Sequence, residues 1–101
     1  MIARYWRGLA KSSHADAYLE HLRSETLPKL NALHGFISYS VLRRTLSQGI
    51  EFLVVTQWAS LESIRAFAGE QIEKAVIPTS VRGMMVECDE TVRHYEVCLA
   101  F

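Results

Sequence analysis

Apolar and polar positions along the chain follow two rhythms, one of strands and one of helices. Residues 2–9 (Ile-Ala-Arg-Tyr-Trp-Arg-Gly-Leu) carry aromatic and apolar side chains on both alternating faces. This pattern predicts a strand buried on both sides, hence a central one. Ser12 and Ser13 offer a helix N-cap, and Asp16 stands three residues after Ser13 as a capping-box variant. Ala15, Tyr18, Leu19 and Leu22 then recur at helical spacing, and Leu27, Leu30 and Leu33 extend the stripe. Pro28 lacks an N–H and predicts a kink within it; Gly35 is a natural stop.

Residues 36–46 and 50–58 read as two further strands, the second rich in β-branched and aromatic residues. Ser47-Gln48-Gly49 between them predicts a hairpin with a three-residue loop. Ser60 caps the next helix, whose apolar face is Leu61, Ile64 and Phe67 and whose end is Gly69. Residues 70–76 suggest a short helix. Val81, Met84, Met85 and Cys88 repeat at i, i+3, i+4, i+7 and suggest another over 79–87, with Gly83 against it. Residues 91–99 form a last strand.

The resulting order, β-α-β-β-α-β, is the ferredoxin-like split βαβ, an α+β fold with an antiparallel sheet and helices on one face. The chain has 101 residues, the size of a single domain, 1–101. It has enough helix to cover one sheet face only. Tyr5, Phe52, Val54, Tyr95 and Val97 put apolar bulk on both faces, so a second copy is expected to cover the other and make a homodimer.

Composition removes several classes. Half the residues are hydrophobic and 22% charged, which excludes disorder from low hydrophobicity. Lys+Arg and Asp+Glu balance at 11 each, so there is no electrostatic case for nucleic acid. No apolar run approaches the ~20 residues of a membrane span, and the first residues do not resemble a signal peptide. Cys88 and Cys98 lack metal or redox spacing and read as buried thiols in a reducing cytoplasm.

Four segments carry a resemblance over nearly the whole chain: Met1-Ile-Ala-Arg-Tyr-Trp-Arg-Gly; Gly35-Phe-Ile-Ser-Tyr with Leu42-Arg-Arg; Trp58-Ala-Ser-Leu-Glu-Ser-Ile-Arg-Ala-Phe-Ala-Gly; and Cys88-Asp-Glu-Thr-Val-Arg-His-Tyr-Glu-Val. The sequence resembles the antibiotic biosynthesis monooxygenase-like family of dimeric α+β barrels. The resemblance implies a homodimer and an oxygenase that uses O2 with no metal, flavin or other cofactor. Its substrate would be an aromatic or polyketide-like molecule whose loss of a proton makes it electron-rich enough to reduce O2. It equally allows a ligand-binding or stress-associated dimer without catalysis. The haem-degrading branch fits less well: Phe67 stands where those relatives carry a Trp, and no His lies between residues 70 and 88.

Such chemistry needs a base or hydrogen-bonding group, a cation near the developing oxyanion, and flat walls. His94, mid-strand, and Arg4, on the central strand, are the candidate catalytic pair. His94 could equally be a sheet histidine bonded to Glu96 or a serine, and Arg4 could pair with a glutamate such as Glu96. Trp6, Tyr39 and Trp58 are candidate substrate-binding residues, with core packing the alternative for each and Tyr18 a companion to Tyr39. His14 and His21 share a helix face without a carboxylate in register, so no metal site is expected.

Overall fold

The computed structural model describes residues 1–101. Its centre is β1 (Ile2–Ala10), which pairs antiparallel along its whole length with β3 (Gly49–Trp58), from Ile2 opposite Trp58 to Ala10 opposite Ile50. β2 (Phe36–Leu46) lies outside β3. The other edge of β1 is shared by two short strands: β4 (Met85–Cys88) runs beside Gly8–Ala10 and β5 (Arg93–Glu96) beside Ile2–Tyr5. The sheet order is β2-β3-β1-β4, with β5 in line with β4 on the edge of β1. The architecture is the expected ferredoxin-like α+β arrangement with an antiparallel sheet.

The first helical segment is less regular than its stripe predicts. A 3₁₀ turn (Ser12–His14) leads into α1 (Ala15–His21), a π turn (Leu22–Thr26) and α2 (Leu27–Asn31). The capping box at Ser13 does not form, because α1 starts beyond it and Ser13 Oγ bonds His14 Nδ1 at 3.0 Å. Pro28 falls in the first turn of α2, where its missing N–H is tolerated. The π turn before it takes up the irregularity: the Leu27 N–H reaches five residues back to the Leu22 carbonyl. α3 (Leu61–Ala68) begins as predicted, with Ser60 and Ser63 forming a reciprocal cap.

Five other expectations are corrected. The β2–β3 loop has two residues, Ser47 and Gln48, because Gly49 pairs with Leu46. Only glycine fits at 49, since a Cβ there would strike the Ala10 carbonyl oxygen. Segment 70–76 is not helical; it makes a turn and one bridge, Lys74 to Thr91. The helical repeat of 79–87 yields only α4 (Thr79–Arg82). Met85–Cys88 becomes strand instead, because the free edge of β1 offers backbone partners that a helix interrupted by Gly83 cannot match. The last strand is likewise confined to Arg93–Glu96, and after Val97 bonds the Met1 carbonyl the tail leaves the sheet. There Cys98 is exposed, not buried; Cys88 is half-buried.

The helices pack on one face of the sheet. Phe52, Ala10 and Met85 meet Tyr18, Leu22 and Val81 in one apolar cluster. Trp58 meets Leu30, Ile64 and Ile72 in a second. The opposite face is mixed rather than uniformly apolar. By register, Tyr5, Leu42, Leu53, Val55 and Tyr95 lie on it. So does Glu51, 7% exposed, whose carboxylate is gripped by Arg7 Nε at 2.7 Å and Arg44 Nε at 2.6 Å. These two hydrogen bonds hold its carboxyl down at about 2.

Candidate functional site

A cavity opens between the two clusters, and its position follows from the strand alternation. Arg4 and Trp6 of β1, Val54 and Thr56 of β3 and Tyr39 of β2 point to the helix side and form its floor. Tyr18, Leu22 and Leu30 come down from the helical segment, Phe67 from α3, and Val76–Pro78 from the connection before α4. Its volume is about 80 Å³; counted with the mouth open to solvent, the atom-free space is about 580 Å³. The exposed Val76 and Pro78 and the half-buried His21 and Thr26 make its rim. Eleven of the sixteen lining residues are hydrophobic, which suits an apolar ligand body held by a few polar groups.

Arg4 dominates the polar part. It is only 4% exposed, yet no carboxylate bonds it. Its Nη1 donates to the Ile72 carbonyl at 2.6 Å and to His94 Nε2 at 3.0 Å, and its Nη2 donates to the Lys74 carbonyl at 3.0 Å. The guanidinium also lies 5.8 Å from the centre of the Phe67 ring. Burial lowers its pKa to about 10, an effect that Glu73 only partly offsets. Arg4 therefore stays cationic at neutral pH. A guanidinium has five N–H donors; three are used here, which leaves two for an anion at the cavity wall.

His94 stands opposite Arg4 on β5 and does not itself line the cavity. Arginine has no acceptor, so His94 Nε2 must accept and its proton must sit on Nδ1. Burial and the adjacent Arg4 both lower its pKa, which keeps it neutral. The expected partners Glu96 or serine for His94, and Glu96 for Arg4, are thus replaced by the Arg4–His94 contact. The lone pair that would make His94 a base is committed to Arg4.

Two phenols line the same cavity. The Tyr39 hydroxyl is buried without a hydrogen-bond partner. Burial raises the Tyr39 pKa to about 12 and raises that of Tyr18 further, with Tyr39 close enough to add to the effect. Both remain neutral and can donate to an anion. Trp6 forms the flat wall, with its indole N–H fixed on the Asp89 carbonyl at 2.8 Å. Trp58 does not reach the cavity: it is fully buried, and its indole N–H bonds Thr56 Oγ1 at 2.8 Å. It positions a lining residue from behind. His21, Thr56, Phe67 and Val76–Pro78 went unnoticed in the sequence as lining residues. Only the helical phase of His21 relative to Tyr18 and the strand phase of Thr56 relative to Val54 could have pointed to them.

The fold and the site together define a ferredoxin-like α+β protein with an apolar, cation-walled cavity under its helices. The chain belongs to the antibiotic biosynthesis monooxygenase family, whose model matches residues 1–77. Solved structures agree on the fold. A Deinococcus radiodurans protein, proposed as an antibiotic biosynthesis monooxygenase, superposes with a TM-score of 0.68 at 20% identity, over 100% of this chain and 96% of that one. A Nitrosomonas europaea protein of unknown function gives 0.69 at 22% identity, over 99% and 91%. SnoaB of Streptomyces nogalater, a cofactor-independent oxygenase, gives 0.70 at 13% identity, over 98% and 94%. No curated protein matches the sequence significantly. No helix is long and apolar enough to cross a membrane.

Proposed function

We propose that the cavity binds an ionisable aromatic molecule of the phenol, hydroquinone or anthrone type as its anion, and that the bound anion reacts directly with O2. The observation that carries this reading is Arg4, a buried cation with no carboxylate partner, at the wall of an apolar cavity. A buried charge without a counter-ion is costly. A ligand oxyanion would relieve that cost, so the site favours the ionised form and lowers the acidity barrier to forming it. For an anthrone-type ligand the balance is simple. The carbanionic carbon gives electrons to O2 and forms a C–O bond; the peroxide is protonated and loses water. Overall CH2 + O2 becomes C=O + H2O, with O2 the oxidant. Tyr18 and Tyr39, held neutral, would hydrogen-bond the charged oxygen, and Trp6 would flank the ring. The membership of SnoaB, a cofactor-independent oxygenase, among the structural neighbours is consistent with this reading.

Reversible binding without turnover is the second reading. It is favoured by the commitment of His94 Nε2 to Arg4, which takes away the base expected beside the cation. O2 uptake with anthrone-type and hydroquinone compounds, without added cofactor, separates the two. Uptake by the wild type and its loss in Arg4→Gln is the expected result. No uptake, together with tight reversible binding, would favour the second.

We further propose that the chain works as a homodimer, with the face bearing Tyr5, Leu42, Leu53, Val55 and Tyr95 against its copy. Leu42 and Tyr95 are 51% and 49% exposed in the single chain, next to the half-buried Leu53 and Val55. Side chains of this kind gain from a partner surface.

A further inference from the structure

The geometry points to His94 as a positioning residue: its neutral Nε2 fixes the plane of the Arg4 guanidinium so that the two spare donors are presented to an anion in the cavity. The inference rests on the anion-binding reading above and assigns His94 a role other than that of a base. Three acceptors hold the guanidinium. Two of them, the carbonyls of Ile72 and Lys74, belong to one connecting segment and approach from one element. Only the third, His94, comes from the sheet, on the strand that pairs directly with β1 at Arg4. That connecting segment is tied by its backbone to residues 90–92, outside the stretch of β5 that pairs with β1. A third acceptor on the rigid sheet fixes the guanidinium relative to the floor residues Trp6, Thr56 and Tyr39.

Imidazole suits the task because its tautomer is dictated by the contact. Arg4 can only donate, so the ring keeps its proton on Nδ1. A protonated ring would place a second N–H against Nη1 at 3.0 Å and lose the acceptor. The half-buried setting beside Arg4 disfavours that form.

The test uses the full chain and benzenesulfonate as the probe, an aromatic anion that does not take up a proton in the working range. Calorimetric titration of wild type, Arg4→Gln, His94→Leu and His94→Gln would be compared, with circular dichroism to confirm folding. His94→Leu removes the acceptor and is expected to weaken binding on the order of tenfold. His94→Gln offers an amide oxygen at similar reach and is expected to recover most of that loss. Nitrogen chemical shifts of His94 at neutral pH should report Nδ1–H with Nε2 as acceptor. If benzenesulfonate fails to bind the wild type, or binds Arg4→Gln equally well, the anion reading itself falls and the inference with it. Weakening in Arg4→Gln but wild-type affinity in folded His94→Leu would overturn the positioning role alone. So would a folded His94→Gln no better than His94→Leu. If His94→Leu does not fold, the wild-type nitrogen spectrum decides: a proton on Nε2 overturns the inference.

Discussion

The Trp6 indole lies over Gly8, its neighbour two residues along the same face of β1. A Cβ added at Gly8 would sit inside van der Waals contact of the Trp6 six-membered ring and 3.1 Å from Met85 Sδ. Gly8 has ordinary backbone geometry, so its lack of a side chain serves the ring and not a turn. Gly8→Ala is therefore expected to push the indole off its seat and cost about 1–3 kcal/mol through overpacking. A lowered melting midpoint together with a shifted tryptophan emission would report it. Unchanged stability and emission would mean that the ring has another position of equal energy.

The Tyr39 hydroxyl makes an opposite prediction for stability and for binding. A buried hydroxyl without a partner costs about 1–3 kcal/mol. Tyr39→Phe removes that cost and keeps the ring, so the ligand-free variant should be at least as stable as the wild type by denaturant titration. Its affinity for a phenolate or sulfonate probe should fall, because a donor to the anion has gone. A clear loss of stability would instead place the hydroxyl in a bond within the protein.

Stability should rise with pH in two separate windows. His94 has a folded pKa below its unfolded value of 6.5, because burial and Arg4 disfavour the cation. Between the two values the unfolded chain binds more protons, so stability is full above 6.5 and is lost as pH falls below it. Glu51 has a folded pKa of about 2 against 4.5 unfolded. Its contribution is full above 4.5 and disappears as pH falls towards 2. Denaturant melts from neutral to acid pH should show both steps, and His94→Gln should remove the upper one. Glu51→Gln should flatten the lower one.

The long elements were legible because apolar, aromatic and β-branched residues run through them between clear turn and cap signals. β1, β2 and β3 follow a period of two that places Arg4, Trp6, Tyr39, Val54 and Thr56 on one face. The caps at Ser60 and Gly69 also agree with local chemistry. The region after Gly69 was not legible. Val81, Met84, Met85 and Cys88 have helical spacing, but the open edge of β1 draws Met85–Cys88 into the sheet. No local signal carries that long-range competition. The cavity was legible in part: Arg4 and Trp6 share a strand face and Tyr39 was a candidate lining residue, but the partners of Arg4 were not legible. Two of those are main-chain carbonyls at Ile72 and Lys74, which no side-chain pattern encodes. Trp58 was misplaced for a related reason. It shares its strand face with Thr56, but the second cluster closes over it.

The outer sheet face supplies the last prediction. Leu42 on β2 lies half-exposed opposite Leu53, beside the Arg44–Glu51 pair. In an isolated chain, Leu42→Lys changes a solvated surface position, and such changes usually fall within about 0.5 kcal/mol. Across a dimer seam the same lysine would have to be desolvated near Arg44, without a free carboxylate to meet it, because Glu51 is already shared by Arg7 and Arg44. Repulsion and desolvation then act together against association. Sedimentation velocity at micromolar concentration should find the wild type dimeric and Leu42→Lys monomeric but folded. A monomeric wild type would remove the proposed seam, and the mixed polarity of this face would then be that of an ordinary solvated sheet.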